Sequence, residues 1–475
     1  MAVPFALLRA TELLAQLGDE TQVVQALEEC WEWASALDLV EGYLKVLGRI
    51  PEKGLLDERL RLLSTQARVR LGGAGSQQEN LEGLAKSSDS WTKEKALMSL
   101  MGAYADQGQH DKVIHTYETL TKLTDNPDLL LKAGSTALYT LVKTGRSTQA
   151  EKLARGLMGH LSRKSTPNQK ADLHYLLARA YAQMGDAQAA IREAKSAVTA
   201  FVAATDWYHA ATTQEFIGDL HRDRGEYDFA KKAFGDSLTL ATKAGSKDLI
   251  QVAQLADAWI LLDIGDVSQA AKLIAEVEKD LSSAPSRRLR RYLASAKALL
   301  EVGRGHHEAA LPGFSRVVDA WRSAGYRSVA DTFQAQHVRA LIACHRLQEA
   351  RNLVDQALGQ LNEATAAPRI ASYLRESALL HLHQNDVKTA MAELQRARSL
   401  FAKSGNQREE AVTLHRIAHA AVSEGDLDLA AKSANEAFLL AKQLKHLRLL
   451  ALAKELEGRV ALLRNDVKKA VSASK

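Results

Sequence analysis

An all-α fold, a solenoid of stacked antiparallel helical hairpins, is predicted by three observations on this 475-residue sequence. Nine times a Gly, His or Asn is followed at the fifth position by Ala, at evenly spaced anchors: Gly145, Gly185, Gly225, Gly265, Gly305, His345, Asn385, Gly425 and Asn465. A fixed period of that length, kept from Gly145 to Asn465 without an insertion, marks a repeat array. Seven positions before the anchor the side chain is usually small, as at Ala178, Gly218, Ala258, Ala298, Ala378, Ala418 and Gly458. Apolar positions five, nine and twelve after the anchor (Ala190, Ala194 and Ala197 in one repeat, Ala270, Ile274 and Val277 in another) lie on one helical face.

The elements follow in order. Residues 1–124 read as degenerate helical hairpins, with Gly18-Asp19 and Gly108 as irregular anchors. Within them 54–71 and 91–107 are amphipathic helices, and Gly48–Pro51 and Leu71–Ser76 are loops. Residues 125–475 form the regular 40-residue array. Each anchor is a tight turn between two helices, because Gly or Asn tolerates the left-handed backbone region there. The Asp that follows many anchors (Asp186, Asp266, Asp386, Asp426, Asp466) is placed to cap the second helix. The small column before the anchor and the Ala column after it let two helices approach closely. Breakers between repeats are Pro127, Pro167, Pro285 and Pro368, with Gly245, Gly325 and Gly405. Pro312-Gly313 falls inside a second helix and predicts a kink or a late start there.

These columns resemble the tetratricopeptide repeat, whose small residue, turn residue, Ala, aromatic and second Ala stand at the same offsets. Tyr181, Gly185, Ala190 and Ala197 carry the resemblance in one repeat, and Gly218, Gly225, Ala230 and Phe234 in the next. The usual unit is about 34 residues long. The longer period here implies longer helices or loops, as in bacterial sensor and signalling arrays. The resemblance implies a right-handed superhelix with first helices lining the concave face. It implies binding of a protein or peptide there and is silent about activity.

Composition narrows the setting. The N-terminus lacks a basic stretch before its apolar residues. No apolar run approaches the roughly 18 residues that a membrane-spanning helix requires, so a cytoplasmic protein is expected. The two cysteines, Cys30 and Cys344, read as small buried apolar residues in a reducing compartment. Net charge is +5, yet residues 1–41 carry eight acids and one base, Arg9. That acidic end is either an uneven solvated surface or a docking face, including for a second copy of the chain.

No enzymatic motif is present, and no cofactor or metal is expected. Gly72–Ser76 lacks the Lys-Ser/Thr of a phosphate loop. His415 and His419 have metal-ligand spacing without a third ligand in view. Binding is the better lead. Lys247, Arg288, Arg327, Arg369, Arg408 and Arg448 recur at first-helix starts, with Arg287 and Arg291 densest around Arg288. A base at a helix N-terminus opposes the helix dipole. Each either pairs with an acid of the adjoining repeat or joins a basic track for an acidic protein or peptide; nucleic acid fits less well, because no aromatic interleaves the arginines. Trp31 and Trp33 are the second lead, as interface anchors or as core. The expected function is a non-catalytic scaffold or adaptor that binds a protein or peptide. The alternative is a sensor arm that binds a small ligand and controls a separate effector.

Overall fold

The computed structural model describes residues 26–28, 30–31, 40–48, 55–161 and 165–466, and helix is the only regular structure among them. The chain divides into two compact units, Met1–Thr144 with Gly159–Arg163 and Gly145–Met158 with Lys164–Lys475.

In the first unit α1 (Val40–Leu47) and α2 (Leu55–Arg68) are followed by a π-helical turn, Val69–Gly73, which runs into α3 (Ala74–Leu84). The loop expected over 71–76 is therefore a continuation of helix. A π turn absorbs an extra residue without breaking the backbone ladder, which accommodates the Gly72-Gly73 pair. Next come α4 (Ser90–Asp106), α5 (His110–Leu123) and α6 (Pro127–Thr144). Asp89 caps α4 by accepting from the Thr92 amide, and Arg59 of α2 binds the same carboxylate through two nitrogens at 2.9 and 3.0 Å. Leu27, Cys30, Tyr43, Leu60 and Leu63 form a buried cluster against which Trp31 packs, its ring 5.4 Å from that of Tyr43. Trp33 lies outside the described residues.

The second unit starts with α7 (Ser147–Gly159) and continues as helical pairs. They are α8 (Pro167–Met184) with α9 (Ala187–Ala203), α10 (Trp207–Asp223) with α11 (Tyr227–Lys243), and α12 (Lys247–Ile264) with α13 (Val267–Lys279). Then come α14 (Arg287–Gly303) with α15 (His307–Ser323), α16 (Arg327–Ala343) with α17 (Leu347–Gln360), and α18 (Glu363–His383) with α19 (Val387–Lys403). The pair α20 (Gln407–Glu424) and α21 (Leu427–Gln443) precedes α22 (Leu447–Leu463).

All nine anchors have positive φ, from 58° at His345 to 95° at Gly265. Asp186, Asp266, Asp386 and Asp426 each accept a hydrogen bond from the amide three positions on, capping the second helix as expected. The Ala column five positions past the anchor is fully or nearly fully buried in every repeat from Ala150 to Ala430. Gly218 shows why the small column is small: a Cβ there would stand 2.3 Å from the ring of Phe234, on the partner helix of the same hairpin. Pro312 does not delay its helix; α15 begins at His307 and runs continuously to Ser323. Gly313 beside it brings α15 close to α14, since a Cβ there would lie 3.3 Å from that of Ala298.

One feature of this unit is not local. The anchor turns Gly185, Gly225 and Gly265 approach Pro368, Arg408 and Arg448, each 183 positions further on, and Gly145 approaches Arg327. The array thus coils back on itself after between four and five repeats.

Candidate functional site

Coiling brings the first helices α8, α10, α14, α16, α18 and α20 around two adjoining chambers. One, of about 150 Å³, is bordered by Arg224, Arg339, Arg369, Arg375 and Arg408, against the carboxylates Asp223, Asp331 and Glu409. The other, of about 90 Å³, is bordered by Tyr175, Phe216, Tyr292, Trp321 and Tyr326 together with Glu215, Asp219, Arg288 and Arg291. The two share Ala182, Leu220, Asp223 and Ser328. Trp321 lies on the second helix α15, and Arg224 and Tyr326 flank helix ends; the other named charged and aromatic residues lie on first helices.

Around the larger chamber the charges form a connected network. Arg369 donates to Asp331 at 2.9 Å, and the Tyr373 hydroxyl donates to the same carboxylate at 3.3 Å. Arg339 and Arg375 share Glu376, whose side chain is inaccessible to solvent. Arg375 also donates to Glu409, and Arg408 joins Glu409 at 3.1 Å to Asp263 at 3.0 Å. Burial alone would raise the Glu409 carboxyl, but Arg375 and Arg408 hold it down at about 2. Arg416 on α20 stands apart: among the described residues no carboxylate pairs with it, and burial, with Arg339 nearby, lowers it to about 10. The Nε atoms of Arg369 and Arg408 are buried without a hydrogen-bond partner.

The smaller chamber is aromatic. Trp259 and Tyr292 stack with centroids 4.7 Å apart, and Trp321 meets both edge-on while its indole donates to Ser295 at 2.9 Å. Arg222 lies over Trp259 at 4.6 Å and Arg179 over Tyr326 at 4.2 Å. Arg288 donates to Glu215 at 2.6 Å. The Tyr292 hydroxyl lies between Glu215 and Asp219, 2.9 Å from the latter. Its single proton serves only one carboxylate. Burial pushes the Asp219 carboxyl up to about 7 against the pull of Arg222, so a protonated Asp219 can donate to the hydroxyl oxygen.

The structure distributes the expected binding residues unevenly. Arg288, Arg291, Arg369 and Arg408 border the chambers. Arg288, Arg369 and Arg408 are engaged with acids of the chain itself. Lys247 is exposed and pairs with Asp280 at 2.8 Å, and Arg287 is exposed at its helix start. Arg327 and Arg448 lie over the anchor turns Gly145 and Gly265. Trp31 packs on the core of the first unit. Sequence columns do not mark the acids and tyrosines that complete the network, Glu215, Asp263, Asp331, Glu409, Tyr175 and Tyr326. The one signal that points to them is an acid on the inner face of a largely apolar helix. His415 and His419 meet edge-to-face at 4.7 Å, and among the described residues no group of three or more side chains could hold a metal ion. No described helix is long and apolar enough to cross a membrane.

Comparison with known proteins fits this architecture. Residues 171–200, which are most of α8, its turn and most of α9, match the family model of the tetratricopeptide repeat. No curated protein matches the chain. Solved structures that match include a Rap protein complexed with Competence and Sporulation Factor, at a TM-score of 0.51 and 13% identity, over 75% of this chain and 98% of that one. The match covers one helical pair, and the likeness to the solved structure shows the shared fold, an all-α array of stacked helical pairs.

Proposed function

We propose that this tetratricopeptide-repeat array is a non-catalytic scaffold or adaptor for a protein or peptide partner, and that an acidic segment of the partner is received at the larger inner chamber. The observation that carries the reading is the set of five guanidiniums bordering that chamber, each held in place by an acid of the chain (Arg224 by Glu226, Arg339 and Arg375 by Glu376, Arg369 by Asp331, Arg408 by Asp263), whose remaining donors a partner's carboxylates would engage. Guanidiniums fixed on helices recognise carboxylates through paired N–H donors, and helices already in place lose little conformational entropy on binding. The chamber's volume of about 150 Å³ is below the range of roughly 300–1,000 Å³ usual for a small-molecule pocket. One or two acidic side chains would enter, while the body of the partner rests outside. The fold shared with a Rap protein solved in complex with Competence and Sporulation Factor supports the same reading. Cys30 and Cys344 are not joined in a disulfide, which agrees with a reducing, cytoplasmic setting.

The test uses the full chain as bait, with co-purifying proteins identified by mass spectrometry and their acidic segments titrated back as peptides. Ser372 borders the chamber, and Ser372→Glu would put a carboxylate of the chain's own among the arginines. Binding should then fall at least tenfold with the helical melt preserved. Equal capture by the parent and Ser372→Glu proteins would refute the assignment.

A further inference from the structure

Two successive first helices, α20 and α22, carry a cluster of donors that the chain leaves without acceptors. His415, Arg416 and His419 on α20 are partly buried, and Arg459 on α22 is exposed. The two imidazoles meet edge-to-face with centroids 4.7 Å apart. Arg416 acts on both rings, and Arg459 acts on His419. Among the described residues, none of the four side chains is in an ion pair or donates a hydrogen bond. His415 Nδ1 is buried beside no acceptor, so the neutral ring keeps its proton on Nε2, which is left to donate. None of the four borders either chamber.

The acids around the cluster do not compensate it. Glu376 attracts Arg416 but is already shared by Arg339 and Arg375. Glu455 is exposed on α22 and acts on His419 only from beyond ion-pair distance. Glu457 on the same helix is bound by Lys454 at 2.9 Å. Taking a guanidinium out of water is costly unless a carboxylate or a full set of acceptors offsets it. Burial accordingly lowers both imidazoles and Arg416, His415 to about 4 and Arg416 to about 10, and the nearby arginines add to the effect. Two guanidiniums and two imidazoles offer more N–H donors than the two oxygens of one carboxylate can take up. A phosphoryl group brings three terminal oxygens and about two negative charges near neutral pH, and guanidiniums bind such oxygens through charge-assisted, often paired, hydrogen bonds. Exposure of Arg459 leaves the cluster open to solvent on that side, so the size of a closed cavity does not limit the ligand.

We infer that His415, Arg416, His419 and Arg459 form a binding site for a phosphoryl group, with the two guanidiniums carrying its charge and the imidazoles completing its hydrogen bonds. The inference goes beyond partner binding at the larger chamber and does not depend on it.

The experiment is calorimetric titration of the full chain with inorganic phosphate at fixed ionic strength, with acetate and chloride as the controls for a single carboxylate and for charge alone. Saturable phosphate binding at least tenfold tighter than either control is expected. Arg416→Gln should weaken it at least tenfold while leaving the melting temperature of the unliganded chain unchanged or higher, because no ion pair is lost; an arginine kept only for structure would lower it. If that variant does not fold, Arg459→Gln at the exposed end of the cluster carries the same test, with the same loss expected. O-Phosphoserine separates the sources: binding tighter than that of inorganic phosphate assigns the site to a phosphorylated side chain, and weaker binding assigns it to the free ion. Ser372→Glu, aimed at the larger chamber, should leave phosphate binding intact, so failure of the partner reading and failure of this one are separable. Absence of saturable binding, acetate binding as tight as phosphate, or equal affinity in the folded arginine variant would overturn the site.

Discussion

Arg408 on α20 donates to Asp263 on α12 at 3.0 Å, joining two helices 145 positions apart in the sequence. Both side chains are about four-fifths buried, and Arg408 divides itself between Asp263 and Glu409. Removing one partner of such a pair strands the other away from water. Arg408→Met, which strips both acids, should cost on the order of 3 kcal/mol of stability. Asp263→Asn, which leaves Arg408 with Glu409, should cost less. Urea denaturation orders the two; the reverse order would mean that Asp263 acts chiefly through a partner other than Arg408, such as Arg222 at 3.9 Å.

Two turns with the same backbone conformation should respond differently to the same substitution. Gly185 and Gly305 have φ of 85° and 82°, so an alanine at either costs roughly 1–2 kcal/mol from the left-handed conformation. Only at Gly185 would the new methyl meet an obstacle, Cγ of Pro368 at 2.6 Å. Gly185→Ala should therefore lower the thermal midpoint clearly more than Gly305→Ala. Equal shifts would mean that the contact between coils yields freely.

His345 is an anchor without glycine, with φ of 58°. His345→Gly removes a left-handed penalty of roughly 1 kcal/mol, partly offset by the greater entropy of glycine in the unfolded chain. A small rise in stability is expected in denaturant titration. Lost stability would show that the edge-on contact with His383 outweighs the backbone term.

Asp219 should leave a signature in the dependence of stability on pH. Its carboxyl is raised from 3.8 to about 7 by burial, so the folded chain keeps a proton that the unfolded chain releases near 3.8. Its contribution to stability is complete below about pH 4 and is lost as pH rises through about 7. Asp219→Asn removes that slope, and its side-chain amide can still donate to the Tyr292 hydroxyl oxygen. The stability difference, variant minus parent, should grow from pH 5 to pH 7 and then level off in denaturation series at fixed ionic strength. A flat difference would show that Asp219 is already ionised in the folded chain at pH 5.

Gly218→Ala is the local counterpart. With the ring of Phe234 only 2.3 Å from the new methyl, overpacking of roughly 1–3 kcal/mol is expected. Phe234→Leu in the same chain should restore part of it, as measured by thermal melts of the single and double variants.

What could be read from sequence was what is local. The left-handed anchors, the Asp caps, and the buried Ala and small columns depend on contacts within one hairpin or its neighbour, and they sit at fixed offsets from Gly185 or Gly225. The loop expected at 71–76 failed because glycines were read as breakers where a π turn absorbs them. The row of bases was legible as a row, but its surroundings were not. Whether Arg408 faces water or Asp263 depends on how far the array turns per repeat, an angle spread over many packed helices. Glu215, Asp331 and Tyr326 occupy no common offset from their anchors, so no column announced the inner network they build.

The recurring distance of 183 positions between apposed segments also sets a manufacturing tolerance. A single residue added to a loop between two repeats would cost little where it stands, since surface loops absorb length cheaply. Downstream it would carry Pro368 off Gly185 and Arg408 off Gly225 together, the way one miscut link misaligns every later winding of a spring. In this coil the length of each repeat is a dimension of the inner chambers themselves, and engineering that changes the period of one repeat would be felt four to five repeats away.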